Sequence, residues 1–370
     1  MGDLTFMGMA IELQEPRVQK ESLKESLPAA RRPKGLVRSR SARALGLIAC
    51  IVLLGLVTLA SVAFGSKQIP FGVVIDAFFN YNPELNDHLI VRSLRVPRNI
   101  VGLLVGAALG LSGAVMQGVA RNPLADPGIL GVSAGAALAV VIGIYIFGVA
   151  TLLGYVWFAF AGALVASVVV YCLGSLGREG ATPVKLALAG AAITAFLGSI
   201  TTAILLVDIA TLDQYRFWAV GSLAGRTSEV AAQVAPFILV GSVMALASGR
   251  VLNALSLGDD VARSLGQKVG LSRAFSAAAV VLLTGAATAA AGPIGFVGLT
   301  VPHVARAITG PDYKWILPYS AVLAPVLLLG SDIIGRVIAR PGEVQVGIIT
   351  ALVGSPFFVM LVRRRKLAEL

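Results

Sequence analysis

From about residue 44 onwards the chain alternates long apolar runs with short polar links. Asn99 to Ala120 is a 22-residue run without a charge, and Pro127 to Gly177 is 51 residues with none. A helix that crosses a bilayer needs about 20 apolar residues at a rise of about 1.5 Å each. On that ruler the runs predict ten spans, at about 45–65, 99–120, 127–147, 151–174, 184–206, 231–249, 274–291, 294–308, 316–335 and 344–362. The run 127–177 holds two of them, with a turn near Gly148 to Gly154. Gly292-Pro293 separates a full span from a short one in the run from Ala274 to Ala305. The expected fold is an all-α polytopic membrane protein of about ten transmembrane helices. Residues 1–43 are different material: polar, with Arg31, Arg32, Lys34, Arg38, Arg40 and Arg43 near their end. They are too long and too polar for a signal peptide. They read as a cytoplasmic, disordered basic tail with a short helix near 11–27, and residues 44–370 as the membrane domain.

Composition strengthens this picture. Of the 370 residues 57% are hydrophobic and 13% charged, against about 25% charged in an average soluble domain. The 41 glycines suit close helix packing in lipid, where small residues let backbones approach. Cys50 and Cys172 lie in apolar runs and read as buried thiols. Ten spans put both termini on one side. With the termini inside, inner segments collect 22 Lys and Arg and outer segments 8 (Lys67, Arg92, Arg95, Arg98, Arg216, Arg226, Arg336 and Arg340). The positive-inside bias therefore places both termini in the cytoplasm. It also accounts for the net charge of +11 without nucleic acid.

Catalytic chemistry is nearly absent. There are two histidines, His88 and His303, and no spacing for a nucleophile triad, a zinc site or a carboxylate pair. "GSLAGRTS" at 221–228 departs from a phosphate loop in its glycine spacing and in having Arg for Lys. No cofactor is expected on this chain. Gly102, Gly106 and Gly110 repeat every four residues, so they share one helix face and predict tight packing. Arg121, Asn122, Pro123, Asp126 and Pro127 interrupt the apolar pattern in "RNPLADPGIL". Two prolines there forbid a continuous helix, and non-helical backbone near lipid needs protein or a wet cavity to satisfy it. The stretch predicts a helix end, a tight link at the cytoplasmic face, and a new helix from near Pro127.

Four separated segments carry a resemblance. "LRVPRNIVGLLVGAALGLSGAVMQGVARNPLADPGILGVSAGAAL" (94–138), "LGDDVARSLGQKVGLSR" (257–273), "AGPIGFVGLTVPHVARAITGPDYKWILP" (291–318) and "SDIIGRVIARPGEVQVGIITALVGSPFFVMLVRRR" (331–365) resemble the FecCD family, the permease subunits of type II ABC importers for ferric siderophores, haem and cobalamin. The resemblance implies a cobalamin-importer-like permease fold and a translocation pathway at a dimer interface, formed with a second copy or a paralogue. It also implies two ATPase subunits that hold ATP and Mg, and an extracytoplasmic substrate-binding protein.

Roles follow for three regions. The amphipathic segment 257–271, with Leu257, Val261 and Leu265 among Asp259, Asp260, Arg263 and Lys268, resembles the coupling helix that rests on the ATPase, and Gly258 and Gly266 suit the turns that bound it. Arg95 and Arg336 match positions implied to pair with acidic residues of the binding protein, Arg216 and Arg226 adding to that surface, while Arg98 reads as a snorkelling flank residue. Thr182, Pro183 and Val184 fall at the implied cytoplasmic gate, where some relatives carry small hydroxyl residues. Ferric siderophore is the expected cargo, with haem or cobalamin as the alternative; no tyrosine or histidine cluster suggests haem ligation. An ion-coupled secondary transporter would instead carry acidic or histidine residues inside its spans, which hold almost none.

Overall fold

The computed structural model describes residues 36–37, 39–177 and 182–366, all within one compact unit, Gly35–Leu370. The expected helix near 11–27 and most of the basic tail lie outside the described residues. Among those residues every regular element is helical. The order is α1 (Arg40–Ala63), the short α2 (Phe71–Phe79) and α3 (Asn86–Leu89), then a π-helical turn (Ile90–Arg95) that runs into α4 (Val96–Ala120). A 3-10 turn (Pro127–Leu130) precedes α5 (Val132–Tyr145), α6 (Leu152–Gly174), α7 (Pro183–Val207), the short α8 (Ile209–Ala219) and α9 (Ser228–Ala247). Then come α10 (Gly249–Leu255), α11 (Asp259–Ser264), α12 (Val269–Ala291), α13 (Val297–Thr309), α14 (Tyr313–Ile338) and α15 (Val346–Lys366).

Each of the ten predicted spans is met by a helix, and seven are long and apolar enough to cross a membrane by that measure alone. One boundary moves. The first helix begins at Arg40, inside the expected 1–43 tail, because Ser39 caps it by accepting the Ala42 N–H at 3.0 Å. A serine side chain in that position satisfies one of the donors that a helix start leaves unpaired.

α4 is the axis of the bundle. It packs on α14, α12, α9 and α13, and its residues from Val105 to Val119 are almost all buried. The glycine ladder makes the α4–α14 seam possible. A Cβ on Gly106 would stand 2.5 Å from the Pro325 Cα, and one on Gly102 would stand 2.5 Å from a Leu329 methyl. Gly110 lies against the Ser320 carbonyl, and Gly113 lies against Gly298 of α13. At the periphery, α1 and α7 expose apolar side chains such as Leu56, Leu59, Leu188 and Phe196, the surface expected to face lipid.

The polar interruption forms the tight link that the sequence pattern predicts. α4 ends at Arg121, which turns the chain in the left-handed region at φ 49°. Asn122 Oδ1 then accepts the Leu124 N–H at 2.9 Å, and Asp126 Oδ1 accepts the Gly128 N–H at 2.7 Å to start the 3-10 turn at Pro127. That turn rests against Gly190 of α7, while the ring of Pro127 would be 3.4 Å from a Cβ on Gly298. Gly190 lies seven residues beyond Pro183 at the start of α7, so the 3-10 turn packs about two helical turns along α7 from its start. Pro123 stands between the two Asx-type contacts, where a missing N–H costs nothing.

Candidate functional site

At the outer end of the bundle, three arginines converge on the end of α1. The last carbonyls of a helix have no intrahelical donor and carry the negative end of its dipole, and α1 has no basic residue in its own last turn. Arg95, from the π-helical turn, donates to the Val62 and Ala63 carbonyls at 2.7 Å each and to the Lys67 carbonyl at 2.6 Å. Arg336, from α14, donates to the Ser61 and Phe64 carbonyls at 3.0 and 2.9 Å and to Ser61 Oγ at 2.6 Å. Arg340 donates to the Gly65 carbonyl at 3.1 Å.

Beside this cap lies a buried carboxylate. Asp332, whose side chain is 0% exposed, meets the Arg98 guanidinium at 2.7 Å and that of Arg336 at 2.9 Å. Arg98 also reaches Glu343 at 2.8 Å. The network surrounds a cavity of about 230 Å³ that Lys67, Arg95, Arg98, Arg336 and Glu343 help to line.

This geometry corrects one expectation and adds to another. Arg95 and Arg336, the expected docking residues, are 5% and 2% exposed, with their forks occupied inside the chain. Arg98 is not a snorkelling flank residue, because it is held by two carboxylates. Asp332 had no place in the sequence reading, although a lone acid at the end of an apolar run, four residues before an arginine, was a usable signal. Arg216 stays at the surface, paired with Asp213 at 3.3 Å. Arg226 is buried at 5% exposure and is no surface anchor.

At the cytoplasmic end, the segment 257–271 folds into α11, bracketed by Gly258 at φ 113° and Gly266 at φ 81°. Both lie in the region that glycine alone adopts freely. Leu257, Val261 and Leu265 stand exposed, while Ala262 is buried beneath them. Asp260 pairs with Arg263 at 2.8 Å on the solvent side. Asp259 faces inward and binds both Arg121, at the end of α4, and Arg273, in α12, the latter at 3.0 Å. A second tie holds α10: Asn253 donates to Asp312 Oδ1 at 2.6 Å and accepts the Tyr313 N–H at 2.9 Å. The segment is thus an exposed apolar ridge that Asp259 fastens to the ends of α4 and α12, while the preceding α10 is tied to the start of α14.

The predicted gate residues open α7. Thr182 caps it by accepting the Lys185 N–H at 3.4 Å, Pro183 takes the first helical position and Val184 is exposed. The structure does not bring them near either charged cluster. Along α15, Leu352, Pro356, Val359 and Met360 line an open apolar groove of about 930 Å³. Among the described residues no group of His, Cys, Asp and Glu is disposed to hold a metal ion.

Comparison with known proteins gives one consistent answer. Residues 52–364 match the model of the FecCD transport family. The chain is 42% identical over 329 residues to the "Probable siderophore transport system permease protein YfiZ" of Bacillus subtilis, covering 89% of this chain and 98% of that protein. It is 44% identical over 323 residues to the ferric enterobactin transport system permease protein FepD of Escherichia coli, covering 87% and 96%. Among solved structures, an inward-facing one assigned to the metal-chelate type of ABC transporter superposes with a TM-score of 0.76 at 27% identity, over 87% of this chain and 99% of that one.

Proposed function

The chain belongs to the FecCD transport family, a multi-pass permease of the inner membrane, and on that premise we propose that it forms half of the pathway of an ATP-driven importer of ferric siderophores. The observation that carries the reading is the cytoplasmic ridge. Leu257, Val261 and Leu265 present apolar side chains to water on and beside a short helix that Asp259 fastens to the bundle. An exposed apolar patch held so firmly suits a standing partner surface, and an ATPase subunit is the partner whose work such a ridge would transmit. ATP and Mg belong to that subunit. A second permease copy or a paralogue would cover the apolar faces of α7 and α15, closing the pathway between them, with the gate near Thr182, Pro183 and Val184. The substrate-binding protein would deliver cargo at the outer end, beside Arg216. Ferric siderophore is preferred over haem or cobalamin because it is named for the two relatives described above.

The test is reconstitution of the chain with its ATPase and binding protein in vesicles, with uptake of an iron-labelled siderophore as readout. ATP-dependent uptake is expected, with no ATP turnover by the purified chain alone. Leu265→Glu should leave the chain folded and abolish both ATPase assembly and uptake. Full uptake by the Leu265→Glu complex would remove the ridge from the mechanism, and hydrolysis by the isolated chain would remove the separate ATPase.

A further inference from the structure

Arg226 differs from every other buried arginine at the outer end. Arg95, Arg98 and Arg336 spend their forks on carbonyls and carboxylates. Among the described residues Arg226 donates only its Nε, to the Ser222 carbonyl at 3.0 Å, and no carboxylate pairs with it. A buried cation without a partner is expensive, and desolvation draws this guanidinium down to about 10. It lines a cavity of about 400 Å³ together with Tyr155, Gln214, Phe217, Trp218 and Gln345. Trp218, a side chain 2% exposed, backs the cavity with its ring. Tyr155 donates to Gln214 Oε1 at 3.2 Å, which fixes one wall. No lining residue is acidic.

We propose that this cavity is an outer cargo subsite, in which Arg226 takes an anionic oxygen-donor group of the arriving chelate, with Phe217 as an apolar wall. The proposal rests on the importer function set out above and specifies where this chain touches its cargo. A guanidinium fork bonds two oxygens of a carboxylate or catecholate at once. Ligand cavities run from about 300 to 1,000 Å³, so this one holds a single chelating arm rather than a whole ferric complex. The same chemistry could be supplied by a carboxylate side chain of the binding protein, and the experiment separates the two sources.

The assay is equilibrium binding of iron-labelled chelates to the permease–ATPase complex in lipid nanodiscs, without the binding protein. The probes are an anionic ferric tris-catecholate, ferric citrate and an uncharged ferric trihydroxamate. The expected result is that Arg226→Gln weakens the two anionic chelates at least tenfold, spares the trihydroxamate within twofold, and is partly rescued by Arg226→Lys. Gln345→Glu places a carboxylate in the same cavity, so it should abolish anionic binding while raising thermal stability, because Arg226 gains a partner. That opposition of sign cannot come from misfolding. Equal affinity in Arg226→Gln and wild type, or no anionic binding by wild type, overturns the subsite. Affinity of the same nanodiscs for the cargo-free binding protein is measured in parallel, and a loss in Arg226→Gln confined to that association, with chelate binding unchanged, also overturns the subsite and assigns the anion to the binding protein. Absence of ATP-driven uptake by wild type would instead refute the importer reading, whatever the binding assay gives.

Discussion

Arg336→Ala separates a cap for α1 from a free docking charge. In the structure the side chain supplies donors to Ser61 and Phe64 and one of the two partners of Asp332, a carboxylate 0% exposed. Removing one partner from a buried charge network costs about 3–5 kcal/mol, because the remaining charge keeps its desolvation penalty. Arg98 still faces Asp332 at 2.7 Å, which argues for the lower half of that range. The loss of donors to the α1 carbonyls adds to it. At about 2–4 °C per kcal/mol, the melting temperature of the solubilised chain should fall by about 6–20 °C. Arg336→Lys should fall between, since a single ammonium cannot span Ser61 and Asp332 as a planar fork does. The assay is thermal unfolding followed by intrinsic fluorescence, with affinity for the binding protein measured in parallel below the transition. A variant that melts within about 2 °C of wild type yet loses tenfold or more in affinity would refute the argument and restore Arg336 as an anchor.

Gly106→Leu should prevent assembly of a folded chain without changing which chelate is carried, because its Cβ would meet the Pro325 backbone; a well-assembled variant with altered cargo preference, seen by gel filtration and uptake, would contradict the packing account. Asp208 caps α8, and its carboxyl is held below the ordinary carboxylate value by the Thr211 hydroxyl and N–H. The folded state therefore releases that proton more readily than the unfolded one, so the stabilisation is full above the unfolded value and is lost as pH falls through the folded value. Asp208→Asn should flatten the acid side of a stability–pH curve, and an unchanged curve would exclude the cap as its source.

The ten spans were legible because lipid imposes a length and a hydropathy that soluble context never demands, and α1, α4, α6, α7 and α14 obey both. The short outer helices α2 and α8 were not, since 9 and 11 residues fall below any span ruler. The coupling segment was readable from Gly258, Gly266 and the apolar spacing between them, all local features. The surroundings of the arginines were not legible, for the opposite reason. What decides whether Arg95, Arg98 and Arg336 are free or occupied is the end of α1 and the position of Asp332, and neither adjoins Arg95 or Arg98 in the chain. Arg226 shows the same limit, because its burial depends on α6, α8 and the residues before α15 meeting around it.

The pairing of Arg98 with Asp332 sets a waiting time in biogenesis. The two are 234 residues apart, and at about 5–20 residues per second of synthesis the arginine is made about 10–50 s before its carboxylate. During that interval Arg98 has been exported against the prevailing charge bias, at the head of a helix whose packing surface on α14 does not yet exist. The end of α1 waits in the same way for Arg336, 275 residues further on. The first helices must therefore persist as separate, incompletely satisfied spans until α14 emerges and makes both contacts at the outer end of the seam. Truncations that stop short of Asp332 should accordingly be degraded as unassembled helices, and extension past Arg336 should mark the point at which the chain becomes resistant to proteolysis.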